Sequence, residues 1–167
     1  MAGQRRHWRG RSQRAGQGRY PRRHGTRVLS GIVVDAGPLI AGFDRSDTWH
    51  DRCSELLTTL PGPLLVPSTI VAEVCYMIAR HKFGAEAEAA FLRSFSDGSL
   101  VLAELVVSDF ARMADLVVRY ADFPLGGSDA SVIAIAERLS LTTFLTTDRR
   151  HFAAVRPSHV EAFTLLP

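Results

Sequence analysis

Four acidic side chains stand at positions where a carboxylate is costly unless it has a partner or a function. Asp35 ends the buried strand Gly-Ile-Val-Val-Asp, and Asp148 ends a second strand, Thr-Thr-Phe-Leu-Thr-Thr-Asp. Asp129 opens a helix after a Gly-Gly loop, and Glu73 lies about one turn into an apolar helix. Burying a charge without a partner is unfavourable. Taken singly, each acid has a structural explanation as a cap or an ion-pair partner, whereas the four together indicate a site.

Convergence of these four carboxylates would create a site for a hard divalent cation. Two carboxylates about 5 Å apart repel by roughly 3 kcal/mol at an effective dielectric of 20. Four of them require protonation or a cation, and oxygen-only ligands favour Mg²⁺ or Mn²⁺ over zinc. Such a cation polarises a phosphate and lowers the pKa of bound water. The predicted chemistry is metal-dependent hydrolysis of a phosphodiester.

The elements that must position these acids alternate between strand and helix. Strands are predicted at 31–35, 64–66, 100–105 and 142–148, with a further edge strand near the C-terminus; helices are predicted at 48–60, 69–83, 85–98, 108–123 and 128–140. This alternation is typical of a single α/β domain with a mostly parallel sheet covered by helices on both faces. Open α/β sheets bind ligands at the carboxyl ends of their strands, so Asp35 and Asp148 should lie at one edge.

The charge distribution divides the chain into two parts. Residues 1–27 contain nine arginines and no acid, whereas residues 28–167 contain eleven basic and seventeen acidic side chains, a net charge of −6. The first part has no apolar periodicity, which predicts a disordered tail before one domain at 28–167. The tail is an RNA-binding arm, a segment without a specific role, or not part of the natural chain, which in that case would start at Val28 or Leu29.

Membrane insertion is not expected. Asp35 interrupts the apolar stretch that follows Arg22 and Arg23, which opposes both a signal sequence and a membrane helix. No other apolar run reaches a membrane-spanning length. The sequence therefore predicts a soluble, cytoplasmic protein.

Four segments resemble, in order, the motifs of PIN-domain ribonucleases, and specifically the VapC-like toxins of VapBC toxin–antitoxin pairs. They are "VVDAGPLIAGFD", "PSTIVAEVCYMI", "YADFPLGGSDASVIAIAERL" and "FLTTDRRHF". Each motif alone is a weak signal, but four at fitting spacing make a strong one. The resemblance runs from about residue 31 to the end and implies a PIN-like three-layer α/β/α fold. It does not extend to residues 1–27.

The resemblance also implies roles for the matched residues. Asp35 and Asp129 would be direct ligands of Mg²⁺, for which Mn²⁺ can substitute. Glu73 and Asp148 would complete the pocket, directly or through water, and orient the attacking water. Thr146 would hydrogen-bond a carboxylate or the scissile phosphate. The implied reaction is endonucleolytic cleavage of RNA that leaves a 5′-phosphate and a 3′-hydroxyl.

Further expectations concern partners and the rim of the cleft. The resemblance implies a VapB-like antitoxin that blocks the cleft, and a homodimer or a toxin–antitoxin hetero-oligomer. Asp122 stands before the third motif, either at the rim of the cleft or at a solvated helix end. Arg149 and Arg150 either contact phosphate or form an exposed basic turn.

Three other readings remain open from the residues alone. One is a catalytically silent PIN-like binding module. Another is a haloacid-dehalogenase-like phosphatase, which needs a second Asp two residues after Asp35, where this chain has Gly37. The third is a receiver domain. Both of the last two classes use a lysine in the cleft, and the only lysine, Lys82, falls at a predicted helix C-terminus.

Overall fold

The computed structural model describes residues 31–80, 84–123 and 125–167. The predicted tail at 1–27, the alternative start at Val28 or Leu29, and Lys82 lie outside the described residues. None of the helices in the described ranges combines the length and the apolar character that crossing a bilayer requires.

Strands and helices alternate in the order that the sequence predicts. The strands are β1 Ile32–Val34, β2 Leu64–Pro67, β3 Val101–Ala103, β4 Thr143–Leu145 and β5 Thr164–Leu166. The helices are α1 Ala36–Phe43, α2 His50–Thr59, α3 Ser68–Ala79, α4 Gly84–Ser96, α5 Val107–Arg119, α6 Gly127–Leu139 and α7 Arg149–Ala154.

The five strands form one sheet in the order β3-β2-β1-β4-β5, and every pairing is parallel. The central strand β1 pairs through Ile32 with Leu64 of β2 on one side and with Thr143 of β4 on the other. The chain moves outward from β1 to β3, then returns to β4 and continues to β5. The switch point of the sheet therefore lies between β1 and β4, where α/β sheets characteristically bind ligands.

Helices cover both faces of the sheet. Right-handed crossovers between parallel strands place α1 to α4 on one face and α5 to α7 on the other. In agreement, α1 packs against α2 and α3, while α5 packs chiefly against α6. Helix α6 is the most deeply buried, with every residue from Ala130 to Ala136 inaccessible to solvent. The predicted three-layer α/β/α architecture with a parallel sheet is confirmed, as expected for a PIN domain.

Several element boundaries differ from the sequence predictions. Strand β1 ends at Val34 and β4 ends at Leu145, so neither Asp35 nor Asp148 is the last residue of a strand. Each acid instead occupies the N-cap position of the next helix. The backbone hydrogen bonds between β1 and β4 extend one residue beyond the end of β1, because the Asp35 N–H donates to the carbonyl of Leu145 over 3.0 Å.

Candidate active site

Asp35 lies at the switch point between β1 and β4 and is almost completely buried, with 7% of its surface exposed. Thr146 Oγ1 donates a 2.8 Å hydrogen bond to Asp35 Oδ2. Burial raises the pKa of Asp35 to about 6, against the opposing effects of the Ala36 N–H and the Thr146 hydroxyl. The negative charges of Asp129 and Glu73 raise this pKa further. The carboxyl group of Asp35 therefore lies where its charged form is disfavoured, which is characteristic of functional sites.

Thr146 connects the acids that follow the two central strands. Its side chain is fully buried. Besides donating to Asp35, Thr146 Oγ1 accepts a 3.0 Å hydrogen bond from the backbone N–H of Asp148. The Thr146 N–H donates to the carbonyl of Leu166, which continues the pairing of β4 with β5. One hydroxyl therefore fixes the Asp35 side chain and the start of α7 relative to each other.

Asp148 holds the first turn of α7 and binds a histidine that the sequence analysis missed. Asp148 Oδ1 accepts from the His151 N–H over 3.1 Å, which is an N-cap bond. Asp148 Oδ2 lies 2.5 Å from His151 Nδ1. A histidine three residues after an N-cap aspartate is the only signal in the sequence that would have suggested this pair. His151 carries two of the contacts that orient the Asp148 carboxylate.

Asp129 is the third residue of α6 and points back toward the loop before the helix. Its Oδ2 accepts a 3.3 Å hydrogen bond from the Gly126 N–H. Burial raises the pKa of Asp129, and the charges of Glu73 and Asp148 act in the same direction. The Gly126 N–H and His151 oppose this rise. Asp129 is therefore within electrostatic range of the acids on α3 and at the start of α7.

Glu73 lies on the exposed side of α3 rather than among apolar side chains, which corrects the expectation that it is buried. Its neighbours Ile70 and Val74 are buried, because they lie about 60° and about 100° around the helix axis from Glu73, on the side that packs against the core. Ser128 Oγ donates a 2.6 Å hydrogen bond to Glu73 Oε2. Neither Arg52 nor Arg80 forms the ion pair that would have explained Glu73 structurally, since Arg52 binds Glu55 and Arg80 binds Tyr76.

A glycine allows α1 to approach this edge closely. A Cβ atom on Gly37 would stand 2.0 Å from Thr147 Oγ1 and 3.3 Å from Thr147 Cβ. Both distances are shorter than ordinary van der Waals contact, so a larger side chain would separate α1 from the loop after β4. Gly37 thus keeps Asp35 and Thr146 in hydrogen-bond contact. Sequence reasoning used this position only to exclude a phosphatase.

The structure brings the four predicted acids to one edge of the sheet. Asp35 is coupled electrostatically to Asp129 and Glu73, and Asp129 is coupled to Glu73 and Asp148. In the described part of the chain, however, no three His, Cys, Asp or Glu side chains are close enough to hold a metal ion as placed. Ser128, His151 and the Gly126 N–H each hold one acid. The donor set is oxygen-rich, and the buried Asp35 carboxylate has few partners, which fits Mg²⁺ or Mn²⁺.

The residues expected at the rim take different positions. Arg149 Nη1 donates to the carbonyls of Leu165 and Pro167, over 3.0 and 2.7 Å, so this guanidinium anchors the C-terminal strand. The guanidinium of Arg150 lies 5.9 Å from the centre of the Phe123 ring. Asp122 is exposed in the turn after α5. Of the two arginines, Arg150 is the one whose guanidinium remains a candidate for contact with a phosphate.

The fold is a three-layer α/β/α domain with one parallel sheet, and carboxylates lie near the switch point of that sheet. These two features define an α/β domain with an acidic site. The PIN domain family model matches residues 32–156. The chain therefore belongs to the PIN-domain family, and the expectation from its four motifs is confirmed.

Within this family the chain is VapC-like. It is 35% identical over 136 residues to Ribonuclease VapC26 of Mycobacterium tuberculosis (strain ATCC 25618 / H37Rv), which covers 81% of this chain and the full length of that protein. The crystal structure of Mycobacterium tuberculosis VapC20, a Sarcin-Ricin loop cleaving toxin, superposes with a TM-score of 0.66 at 15% identity, over 77% of this chain and 98% of that one.

A second solved structure also shares the fold. It is VapBC2 from Rickettsia felis bound to a DNA fragment from their promoter, and it superposes with a TM-score of 0.58 at 13% identity. The match covers 81% of this chain and 96% of that one.

Proposed function

We propose that this protein is an Mg²⁺-dependent endoribonuclease and the toxic component of a toxin–antitoxin module. The observation that carries the proposal is the buried Asp35, whose carboxylate is held by Thr146 and whose charged form is disfavoured by burial and by the carboxylates Asp129 and Glu73. The similarity to Ribonuclease VapC26 along its full length supports the choice of RNA as substrate.

Asp35 and Asp129 would hold the cation, with Glu73 and Asp148 contributing directly or through water. When bound, Mg²⁺ neutralises charge on the scissile phosphate and lowers the pKa of water. Thr146 keeps the Asp35 carboxylate in one orientation through its 2.8 Å hydrogen bond. Burial, and to a smaller extent the charges of Asp129 and Glu73, disfavours the charged form of Asp35, so a bound cation would compensate a charge that the fold leaves poorly stabilised.

The remaining residues would position the water and the substrate. Glu73 and Asp148 accept hydrogen bonds from water and direct its oxygen toward phosphorus. The new P–O bond forms as the bond between phosphorus and the 3′ oxygen breaks, and the departing oxygen takes up a proton. The products are a 5′-phosphate and a 3′-hydroxyl. Since residues 28–167 carry a net charge of −6, RNA affinity would come from local cations such as Arg150 or from residues 1–27.

Cleavage of RNA by purified variants tests this proposal. In Mg²⁺, the wild-type chain should cut RNA to fragments with 5′-phosphate ends, and Asp129→Asn should reduce the rate by about 10²–10³-fold, since removal of one group that stabilises the transition state typically costs this much. Asp51→Asn is the matched control, because Asp51 is an exposed aspartate in the first turn of α2. Equal rates for wild type and Asp129→Asn would refute the site, and RNA binding without any cleavage would favour the silent binding module.

The partner that fits a toxin is a VapB-like antitoxin. The fold is shared with VapBC2 from Rickettsia felis, whose structure contains both members of the pair. An antitoxin that covers the edge between β1 and β4 would block the acids and inhibit cleavage. Mixing the chain with the product of an adjacent antitoxin gene should abolish RNA cleavage at a stoichiometric ratio.

We further propose that the protein forms a homodimer through α5, which turns an apolar stripe outward. The stripe, called the α5 stripe below, consists of Val107, Phe110, Ala111, Ala114, Val117 and Val118. Val107 is 89% exposed and Val118 is 77% exposed. Phe110 is 57% exposed and Val117 is 38% exposed, so the α5 stripe is an apolar surface that a monomer would leave in water. Burial of this stripe against a second copy would give the apolar centre that homodimer interfaces have.

The spacing of the α5 stripe favours a second copy over another partner. Phe110 and Val118 lie four residues on either side of Ala114, and Ala111 and Val117 lie three residues on either side. Two antiparallel copies of α5 would therefore place large side chains opposite each other around a small central residue, as a two-fold interface requires. Val118→Lys should convert a dimer to a monomer in sedimentation, whereas Leu92→Lys on α4 should not. A wild-type monomer at high concentration would refute the dimer.

A further inference from the structure

Two hydroxyl groups on α6 reach across to α3 beside the site. Ser128 Oγ donates to Glu73 Oε2 over 2.6 Å, and Ser131 Oγ lies 2.5 Å from Thr69 Oγ1. Ser131 Oγ also donates to the carbonyl of Ser128 over 2.6 Å. The same pair of helices is thus joined twice by serine hydroxyls, once through a carboxylate and once through a neutral side chain.

The two hydrogen bonds between α6 and α3 have different structural roles. Ser131 is fully buried and its partner Thr69 is at the first turn of α3, so this link belongs to the packing between the helices. Glu73 is exposed, and within the described residues Ser128 is the only hydrogen-bond donor that the structure gives its carboxylate. A free glutamate side chain samples many rotamers, and it loses conformational entropy on being fixed in one of them. A hydroxyl on a rigid helix start can supply that constraint.

Because of the position of Ser128, its hydrogen bond holds Glu73 close to the other acids of the candidate site. Ser128 immediately precedes Asp129, and both lie in the first turn of α6. A Glu73 carboxylate held on Ser128 is therefore kept beside the start of α6, where Asp129 lies. Without the hydroxyl, Glu73 would be drawn into solvent and away from the other acids, because neither a basic side chain nor burial retains it.

We propose that Ser128 is a positioning residue that holds the Glu73 carboxylate beside Asp129, so that Glu73 joins the other acids in binding a divalent cation. This inference rests on the proposed function and adds a residue that acts on one of the acids rather than on RNA. Groups that orient metal-binding side chains typically change metal affinity or activity by 10–100-fold when removed.

The test compares Ser128→Ala with Ser131→Ala, which removes the neighbouring hydroxyl link between the same two helices. Each full-length variant is titrated with Mn²⁺ by calorimetry in the absence of RNA, and kcat and KM for RNA cleavage are measured separately. Ser128→Ala should weaken Mn²⁺ binding by about tenfold and lower kcat while leaving KM within twofold. Ser128→Thr, which keeps the hydroxyl, should restore both quantities.

Ser131→Ala should lower the melting temperature without changing Mn²⁺ affinity. If Ser131→Ala does not fold, Thr69→Val removes the other partner of the same bond and replaces it as the control. Wild-type Mn²⁺ affinity in Ser128→Ala, or an equal loss in Ser128→Ala and the control, would overturn the positioning role while leaving the proposed nuclease intact. A wild-type chain that neither binds Mn²⁺ nor cuts RNA would overturn both.

Discussion

Asp35 is the residue on which the proposed chemistry depends most, because it combines near-complete burial with close acidic neighbours. Its pKa is raised mainly by burial, and the hydrogen bonds from Ala36 and Thr146 only partly compensate. A structural cap would show the opposite balance, since a capping carboxylate is stabilised in its charged form by N–H groups. Apart from the Ala36 N–H, Asp35 accepts no N-cap hydrogen bond from the N–H groups of the next residues of α1. The residue therefore destabilises the metal-free fold at neutral pH, as sites that bind cations do.

The first prediction concerns the stability of Asp35→Asn in buffer with a chelator. The pKa of Asp35 rises from 3.8 to about 6 on folding, so the unfolded chain binds fewer protons between these values. The free energy of unfolding of the wild type therefore falls as pH rises from about 4 to 6, by up to about 3 kcal/mol. Asp35→Asn should be more stable than wild type at pH 8 and should lose this advantage at pH 4, as measured by urea unfolding.

Asp51→Asn serves as the control for this comparison, since Asp51 is exposed and should show little difference at either pH. An identical effect of Asp35→Asn at pH 4 and pH 8 would contradict the raised pKa.

The sequence singled out the acids of the candidate site but not the residues that hydrogen-bond to them. Asp35, Glu73, Asp129 and Asp148 could be found because a carboxylate after a strand or within an apolar helix is locally anomalous. Ser128 could not be found in the same way, because its partner Glu73 is 55 residues away and a serine in the first turn of a helix is ordinary. The exposure of Glu73 was also missed, since helical periodicity does not fix how far a helix is rotated.

Helix α5 shows why rotation about a helix axis cannot be read from periodicity alone. The helix is strongly amphipathic, yet its apolar stripe is exposed, and its inward side combines the buried Leu116 with Asp109 and Arg112, which pair with α6. Arg112 binds Glu137 through two hydrogen bonds of 2.6 and 2.9 Å. Arg138 binds both carboxylate oxygens of Asp109, over 2.9 and 3.1 Å. These paired ions hold α5 on α6 and leave its apolar side available to a second copy.

The second prediction concerns this ion-paired contact. The Asp109 side chain is 3% exposed, so Arg138→Ala would leave a buried carboxylate without its partner. Breaking a buried pair from one side typically costs about 3–5 kcal/mol. The free energy of unfolding of Arg138→Ala, measured in urea, should fall by about that amount. Arg52→Ala, which breaks the exposed pair with Glu55 on α2, should change it by less than about 1 kcal/mol. Equal losses in the two variants would contradict this account of α5.

The order of the helices and strands along the chain could be predicted from the sequence, whereas the residues at which they begin and end could be predicted less well. Strand–helix alternation and the Gly and Pro positions are local signals, and they gave the parallel three-layer fold. The ends of β1 and β4 depend on pairing with neighbouring strands, so the predicted strands at 31–35 and 142–148 were longer than those formed. Helix α5 begins at Val107, one residue before the predicted Ser-Asp start, because Asp109 accepts the Val106 N–H as the third residue of the helix.

At the scale of the whole molecule, charge is separated along the chain. Residues 1–27 carry nine arginines and no acid, and residues 28–167 carry a net charge of −6. An acidic domain suits a cation site but repels RNA, so the basic segment is the part of the chain best suited to non-specific contact with phosphates. The PIN domain match begins at residue 32, after this segment.

The third prediction is that removal of residues 1–27 leaves Mg²⁺-dependent RNA cleavage in place. All four acids and the residues that orient them lie after this segment, so kcat should remain within about twofold. KM should rise, and its dependence on salt should weaken, if the arginines contact phosphates. Cleavage rates of the truncated and full-length chains at two salt concentrations measure both effects. Complete loss of cleavage in a truncated chain that still folds would show that the segment belongs to the substrate site.

The central claim is that carboxylates at the starts of α1 and α7 and on α3 and α6 form one divalent-cation site. Calorimetric titration of the purified full-length protein with Mg²⁺ and Mn²⁺ tests it most directly, with Asp35→Asn and Asp51→Asn as paired variants. We expect saturable binding to the wild type and to Asp51→Asn, and its loss in Asp35→Asn. Binding that is unaffected by Asp35→Asn, or the absence of binding to the wild type, would contradict the claim.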